Sequence, residues 1–239
     1  MWNLTVKFSK VSQAGEFVNR LINIKKIEYH ILSNATSDIV ITGENSFSKE
    51  FVLELISETI INIFKTEYFE KSINLGFLRP EQKDALVKAL VLFDIDSDIY
   101  YTLLSIEKLD TIVVDAVNTF LLSKLKLKWA EFVTITNLNS DYLLNYDVFV
   151  EFLKFLINSI QPKTKVINLK CDVRNFLFLD EKNSVITSKV NIDDEMGLIT
   201  NLVLLAPQNI NIHCIDRVSN KTFKTLYYLF DKKINLLVW

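Results

Sequence analysis

The chain is poor in the residues that most often interrupt helices and strands. Only 4 of its 239 residues are Gly and 3 are Pro, so we expect short loops between long elements. The glycines are also far apart in the sequence, and they are Gly15, Gly43, Gly76 and Gly197. They cannot form the glycine-rich loop that holds a nucleotide phosphate, so this class of nucleotide site is excluded.

Histidine and the common catalytic patterns are also scarce. His30 and His213 are the only histidines, which excludes a metal site with three His ligands. The chain contains no H-E-x-x-H pair, no C-x-x-C pair and no G-x-S-x-G turn. We therefore expect no metal and no cofactor, and we favour a non-catalytic protein. The weakest alternative is an enzyme that uses His213 with Asp216 as acid and base.

Two cysteines, Cys171 and Cys214, lie in apolar runs that predict strands. We favour two buried thiols in a reducing compartment, and the alternative is one disulfide between them. No apolar run reaches about 18 residues without a charge, so we expect no membrane span. Residues 1–8 alternate like a strand and lack the basic and then apolar pattern of a secretory signal. These features thus favour an intracellular location.

The chain is rich in apolar residues. Hydrophobic residues make up 49% of it, and 17 residues are Phe, which is enough for a sizeable core. The net charge is −2, so no overall attraction to nucleic acid or to anionic lipid is expected. A nucleic-acid partner is therefore disfavoured, and the oligomeric state stays open.

The hydrophobic periodicity predicts an α+β fold in three parts. Residues 1–75 form a small α/β subdomain in the order β-α-β-β-α, residues 76–162 form a helical region, and residues 163–239 form a ββαβαβ subdomain whose last strands are parallel. The predicted strands are 4–8, 26–32, 38–42, 165–171, 176–179, 210–215 and 234–239. The predicted helices are 13–23, 46–71, 80–93, 110–125, 146–160, 193–206 and 219–231. The predicted core includes Phe120, Phe152 and Leu156.

An acidic run at residues 94–98 has the alternation that begins a calcium loop. Such a loop needs Gly at its sixth position and Glu at its twelfth. Ile99 and Ser105 stand there instead, so the sharp turn and the bidentate ligand are both missing. We therefore predict a solvated acidic loop between two helices.

A basic run carries Lys124, Lys126 and Lys128 at alternate positions, next to Trp129. One interpretation is a basic edge that contacts a phosphate backbone. We favour a solvated helix end at which the lysines complement the helix dipole.

The best candidate binding region covers residues 209–220. Asn209, Asn211 and His213 project to one face of a predicted strand, whose other face is apolar. Asp216 and Arg217 follow at the carboxyl end of the strand, directly before a predicted helix. Ligands often bind at this position in open α/β sheets. The alternative for the polar row is a solvated sheet face or an interface.

Residues 193–213 combine three features in order: the acidic helix start at Asp193, a Leu- and Ile-rich helix that ends in Ala206-Pro207, and an apolar strand that ends in His213. This element resembles the C-terminal part of the YtxC-like family of sporulation proteins. Upstream, residues 115–121 and residues 152–162 fall in similar order, so the resemblance covers residues 105–239. The chain departs from the family at residues 123–145, where Lys-rich sequence replaces a more acidic connection.

The resemblance implies a cytoplasmic protein of endospore-forming bacteria and brings no activity and no catalytic residues. Our leading hypothesis is a non-catalytic interaction or regulatory protein associated with sporulation, with an unknown protein partner. The alternative is a small-ligand or nucleotide-binding domain that uses residues 209–220. A concave pocket beside His213 and Arg217 would favour ligand binding, and a flat apolar patch elsewhere would favour a protein partner.

Overall fold

The fold is α+β, as the periodicity predicts. The computed structural model of the chain describes residues 1–22, 24, 27–32, 37–44 and 46–237. The predicted turn at 33–37 lies outside the described residues except for Ser37, and so do residues 23, 26, 238 and 239 of other predicted elements. No helix in the described part of the chain is long and apolar enough to cross a membrane.

Helices and short strands alternate along the chain. Its first part contains β1 (Trp2–Phe8), α1 (Val11–Leu21), β2 (Ile27–Ile31), β3 (Ser37–Gly43), α2 (Ser46–Ser72), α3 (Pro80–Leu92), α4 (Ile95–Ile106), β4 (Thr111–Val113), α5 (Val114–Ala116), a π-helical turn (Val117–Leu121) and α6 (Ser123–Leu138). The second part contains α7 (Ser140–Leu143), α8 (Tyr146–Asn158), β5 (Thr164–Cys171), β6 (Asn175–Leu179), β7 (Val190–Asn191), α9 (Glu195–Leu205), β8 (Pro207–Ile212), a 3-10 turn (Ile215–Arg217), α10 (Asn220–Phe230), a second 3-10 turn (Asp231–Lys233) and β9 (Ile234–Leu236).

The chain forms two compact units, and it passes between them more than once. The first unit comprises Met1–Ser72 and Ile95–Thr134, and the second comprises Ile73–Asp94 and Ile135–Trp239. The helices predicted for residues 76–162 are therefore shared between the units, because α3 belongs to the second and α4 to the first. The three-part division of the sequence stays a prediction.

The sheet of the first unit has the strand order β2-β3-β1-β4. β1 and β3 are antiparallel and place Leu4 opposite Ile41 and Val6 opposite Ile39, while β4 joins β1 in parallel beside Val6. All four of these side chains are fully buried. The period-two alternation of β1 therefore has its usual cause, which is one strand face in the core and one outside it.

The segment 110–125 is not the single helix that its periodicity predicts. It forms β4, α5 and a π-helical turn, and α6 begins only at Ser123. The β-branched run Thr111-Ile112-Val113 favours a strand, and the π turn shifts the later residues around the axis. Phe120, predicted for the core, is consequently 75% exposed. Lys124 lies in the first turn of α6, so the helix dipole does not favour it.

The acidic run 94–98 is not a solvated loop. α4 begins at Ile95, and the side chain of Asp98 is completely buried within the first unit. Its carboxylate lies 2.7 Å from Lys65 Nζ and 2.6 Å from Lys128 Nζ, and Trp129 Nε1 donates a hydrogen bond to it at 3.0 Å. Sequence reasoning missed this cluster because its members come from three helices.

The sheet of the second unit has the strand order β7-β6-β5-β8-β9. β5, β8 and β9 run parallel to one another, as the sequence predicts for the last strands. Every second residue of the central strands is buried, and these residues are Ile167, Leu169, Phe176, Phe178, Ile210 and Ile212. In the same unit α3 packs against α8 and α9, and α8 packs against α10. The opposite sheet face carries the polar row.

Local capping fixes both ends of α9 where the sequence predicts them. The Asp194 side chain accepts a hydrogen bond from Gly197 N at 2.8 Å, which satisfies one free N–H group of the first turn. Ala206 has a left-handed conformation with φ of 40° and ends the helix. Pro207 then begins β8, three residues earlier than the predicted strand.

Candidate functional site

The polar row of β8 is part of a ladder across three strands. Asn168 of β5, Asn211 of β8 and Asn235 of β9 occupy paired positions in the parallel register. Asn235 Nδ2 donates to Asn211 Oδ1 at 3.2 Å, and Asn211 Nδ2 donates to Asn168 Oδ1 at 3.0 Å. Asn168 Nδ2 donates in turn to the Asp180 carbonyl at 3.0 Å. The asparagines thus bond to one another, and these contacts use about half of the hydrogen-bonding capacity of the three amides.

The end of this ladder also fixes His213. A carbonyl oxygen only accepts hydrogen bonds, so the bond from Asn168 Nδ2 to the Asp180 carbonyl sets the orientation of the Asn168 amide. Its Oδ1 then faces His213 Nε2 at 3.2 Å, and Nε2 carries the proton. Burial, together with the charge of Lys170, lowers the pKa of His213 below its ordinary value of 6.5. His213 is therefore neutral near pH 7 and acts as a donor within the ladder.

The two cysteines form a disulfide, so the predicted pair of free thiols is wrong. Leu169 of β5 lies beside Ile212 of β8, and the same offset of 43 residues brings Cys171 beside Cys214. Their Cα atoms are 5.7 Å apart, which lies within the usual range for a disulfide. The sequence could not show this pairing because it depends on the register of the two strands.

Asp216 and Arg217 are exposed on the 3-10 turn that follows β8. Arg217 Nη1 donates to the backbone carbonyl of Asp172 at 2.7 Å. The Asp172 carboxylate binds Lys189 Nζ at 2.8 Å, and this bond, followed by bonds from backbone N–H groups, lowers the pKa of Asp172 to about 2. Arg217 is thus tied to the end of β5, and part of its guanidinium group is already engaged.

A polar cavity of about 770 Å³ lies beside Asp216 and Arg217. Three helices, α3, α9 and α10, begin at its wall. The wall carries three basic and five acidic side chains, and these are Arg79, Arg217, Lys221, Glu81, Asp193, Asp194, Glu195 and Asp216. The structure therefore divides the predicted site: Asp216 and Arg217 line the cavity, whereas Asn209, Asn211 and His213 lie on the open face of the sheet.

Glu195 is the best-connected side chain of this cavity, and sequence reasoning missed its role. Its carboxylate accepts hydrogen bonds from Tyr146, from Thr222 at 3.2 Å and from Thr225 at 3.4 Å. Burial, and then the bond to Glu195, raises the pKa of Tyr146 to about 12. α10 begins beside Glu195, and the negative charge of Glu195 is favourable near the N-terminus of α10 because of the helix dipole. The only available sequence signal was the position of Glu195 in the first turn of α9.

An apolar groove of about 660 Å³ lies elsewhere in the second unit, between the end of α6, α7 and α8. We call it the α6–α8 groove, and it is lined by Ile135, Thr136, Asn139, Tyr142, Leu143, Val148, Glu151, Phe152 and Phe155. Several of its large apolar side chains face solvent, with 52% of Ile135, 68% of Tyr142 and 58% of Phe155 exposed. The sequence signal was present in α8, where Val148 and Phe155 are large apolar residues of the predicted helix 146–160 that were not assigned to the core.

One wall residue of the α6–α8 groove is chemically unusual. Thr136 is 1% exposed, and its hydroxyl has no hydrogen-bond partner among the described residues. Two residues earlier in α6, Thr134 donates to the Ala130 carbonyl at 2.8 Å in the common helical arrangement. The buried hydroxyl of Thr136 therefore costs stability.

Across the described ranges, no group of three or more His, Cys, Asp or Glu side chains is placed to hold a metal ion. Comparison of the chain with protein-family models, with curated proteins and with solved structures finds no match.

Proposed function

We propose that this protein is a non-catalytic interaction protein that binds a partner protein through the α6–α8 groove. The exposed apolar side chains of the groove are the observation that carries this proposal. Large apolar side chains gathered in one concave surface are costly in water and are typical of binding sites. Ile135, Tyr142 and Phe155 supply most of that exposed surface.

The predicted polar row of β8 is a less favourable binding surface than the α6–α8 groove. Asn211 and His213 both donate to Asn168, and Asn168 donates in turn to a backbone carbonyl. These existing bonds leave fewer donors and acceptors for a partner, which reduces the gain from binding there. A partner that covers the apolar groove gains from the removal of apolar surface from water.

The biological process that we propose is sporulation, in the cytoplasm of an endospore-forming bacterium. This part rests on the resemblance of residues 105–239 to the YtxC-like family. The disulfide between Cys171 and Cys214 opposes the cytoplasmic assignment, because that compartment keeps most thiols reduced. Alkylation of thiols in intact cells, followed by mass spectrometry, tests the location. Two alkylated cysteines support the cytoplasm, and an intact disulfide contradicts it.

Genetic complementation tests the function itself. Deletion of the gene in the source organism should lower the number of heat-resistant spores, and the wild-type gene should restore it. Phe155→Lys places a charge in the groove and should fail to restore sporulation. Val173→Lys is the matched control, because Val173 is 86% exposed outside the groove, and it should restore sporulation fully.

Two outcomes would contradict the proposal. An unchanged spore count after deletion removes sporulation as the process. Full complementation by Phe155→Lys removes the α6–α8 groove as the interaction surface. Circular dichroism and a thermal melt of both variants show whether each one is folded.

A second candidate function is the binding of a small polar ligand in the cavity beside Arg217. The cavity volume of about 770 Å³ favours it, since small-molecule sites are usually of this size. Its acidic majority opposes a nucleotide and favours a ligand that carries a cationic group. Thermal-shift assays with amino acids, polyamines and nucleotides test this candidate. Asp216→Asn should reduce any shift by a cationic ligand, and Asp96→Asn, at an exposed position outside the cavity, should leave it unchanged.

A further inference from the structure

We infer that the occupant of the α6–α8 groove is an amphipathic α-helix of a partner protein, with apolar residues along one face and Lys or Arg along its margins. This inference rests on the proposed function and specifies its partner. We argue the helical partner from three observations: the groove walls are helical, the lining residues of α8 have helical spacing, and the charged residues near the groove are mostly acidic.

The walls favour a helix over an extended peptide. The groove walls come from the helices α6, α7 and α8, and they offer no strand edge. An extended peptide in the groove would leave its backbone N–H and C=O groups unpaired against apolar side chains, which is costly. A helix brings a backbone that is already hydrogen-bonded, so only its side chains need partners.

The spacing along α8 fits two turns of such a helix. Val148, Phe152 and Phe155 line the groove at positions i, i+4 and i+7 of α8. They form a strip roughly 10 Å long, given the rise of an α-helix. A partner helix that lies alongside presents its own apolar residues at the same spacing, so its side chains can fall between those of α8.

The charged residues near the groove favour a partner helix with Lys or Arg along its margins. Asp141, Asp147 and Glu151 are exposed, and each one either lines the groove or adjoins a lining residue in the sequence. Lys154 is the only basic residue in the segment 135–155, and its Nζ lies 4.0 Å from the centre of the Tyr228 ring. The segment 135–155, which supplies the groove lining, therefore carries an excess of negative charge, which attracts Lys and Arg and repels Asp and Glu.

Fluorescence anisotropy with two labelled synthetic helices of about 18 residues, long enough to span the strip along α8, tests this inference on the full-length protein. Both peptides carry the same Leu face, one with Lys on the polar face and one with Glu. The Lys peptide should bind at least about tenfold more tightly, and the preference should weaken as salt rises. Phe155→Ala should weaken binding by about 30-fold, as expected for an aromatic anchor. Tyr227→Ala, which removes an exposed aromatic ring elsewhere in the same unit, should leave binding unchanged.

A charge reversal separates attraction by the rim from general hydrophobic binding. The double variant Asp147→Lys with Glu151→Lys should prefer the Glu peptide. Equal binding of the two peptides to the wild type, or no effect of Phe155→Ala, would overturn the inference. A dimer in light scattering that Phe155→Ala dissociates would also overturn it, because the occupant would then be a second copy. If Phe155→Lys abolishes sporulation while the Lys peptide fails to bind, the proposed function stands and only the helical partner is wrong.

Discussion

Cys171, the last residue of β5, is bonded to Cys214, two residues beyond the end of β8, because the two parallel strands are offset by 43 residues. The same offset pairs Asn168 with Asn211 three residues earlier. A single strand register therefore creates both the disulfide and the asparagine ladder, one on each side of the sheet. A change of register by one residue would separate both pairs.

The disulfide should be visible in a thiol count. Titration of the denatured protein without reductant should find no free thiol, and titration after reduction should find two. Because the bond closes a loop across 43 residues, reduction should lower the free energy of unfolding by about 2–4 kcal/mol. Urea melts with and without dithiothreitol measure this difference. A count of two thiols before reduction would contradict the disulfide.

The buried carboxylate of Asp98 should be essential to the first unit. Asp98→Asn keeps the shape of the side chain but removes the charge that balances Lys65, whose side chain is 2% exposed. Loss of one partner of a buried ion pair should lower the free energy of unfolding by about 3–5 kcal/mol. Urea melts measure the loss. The control is Asp96→Asn, an exposed position in the same helical turn, which should change stability by less than about 0.5 kcal/mol.

His213 should make stability depend on pH near neutrality. Its pKa in the folded protein lies below 6.5, because burial and Lys170 disfavour the charged ring. The unfolded chain therefore takes up the proton first as the pH falls below about 6.5, and the free energy of unfolding decreases. Urea melts between about pH 5.5 and 7 should show this decrease in the wild type. The variant His213→Gln should show a smaller decrease. If its free energy of unfolding depends on pH as that of the wild type does, the lowered pKa of His213 is contradicted.

The unpartnered hydroxyl of Thr136 predicts a stabilising substitution. Val has nearly the shape of Thr, so Thr136→Val removes a buried polar atom without opening a cavity. We expect the free energy of unfolding to stay constant or to rise by about 1 kcal/mol. Thr134→Val is the control: its hydroxyl is bonded to Ala130, so the substitution should give no gain. A clear loss in Thr136→Val would show that the hydroxyl has a partner.

Two of the three residues predicted for the core, Leu156 and Phe120, should differ in their effect on stability. Leu156 is fully buried in α8, and Leu156→Ala should lower the free energy of unfolding by about 2–5 kcal/mol. Phe120 is 75% exposed, and Phe120→Ala should lower it by less than about 0.5 kcal/mol. Thermal or urea melts of the two variants measure both effects. Equal losses would mean that the π-helical turn leaves Phe120 in the core after all.

The sequence by itself determined the elements whose cause is local. The alternation of Leu4 and Val6 predicted β1, and the acidic start at Asp194 with the stop at Pro207 predicted α9. These signals depend on side-chain periodicity and on capping, which act over a few residues. The parallel order of the last strands also followed, because a helix separates each strand from the next.

Only the tertiary structure decided what depends on residues far apart in the chain. Asp98 reads as a solvated acid until Lys65 and Lys128 are brought to it from two other helices. The sequence left open whether the polar row that ends at His213 faces a ligand or is a solvated sheet face or an interface, and it could not show that β5 supplies Asn168 as a partner. The sequence pattern predicts that a polar residue is exposed, but it does not show which distant residue becomes its partner in the folded protein. The candidate site is therefore the α6–α8 groove and not residues 209–220, because long-range packing and strand register determine which side chains stay exposed.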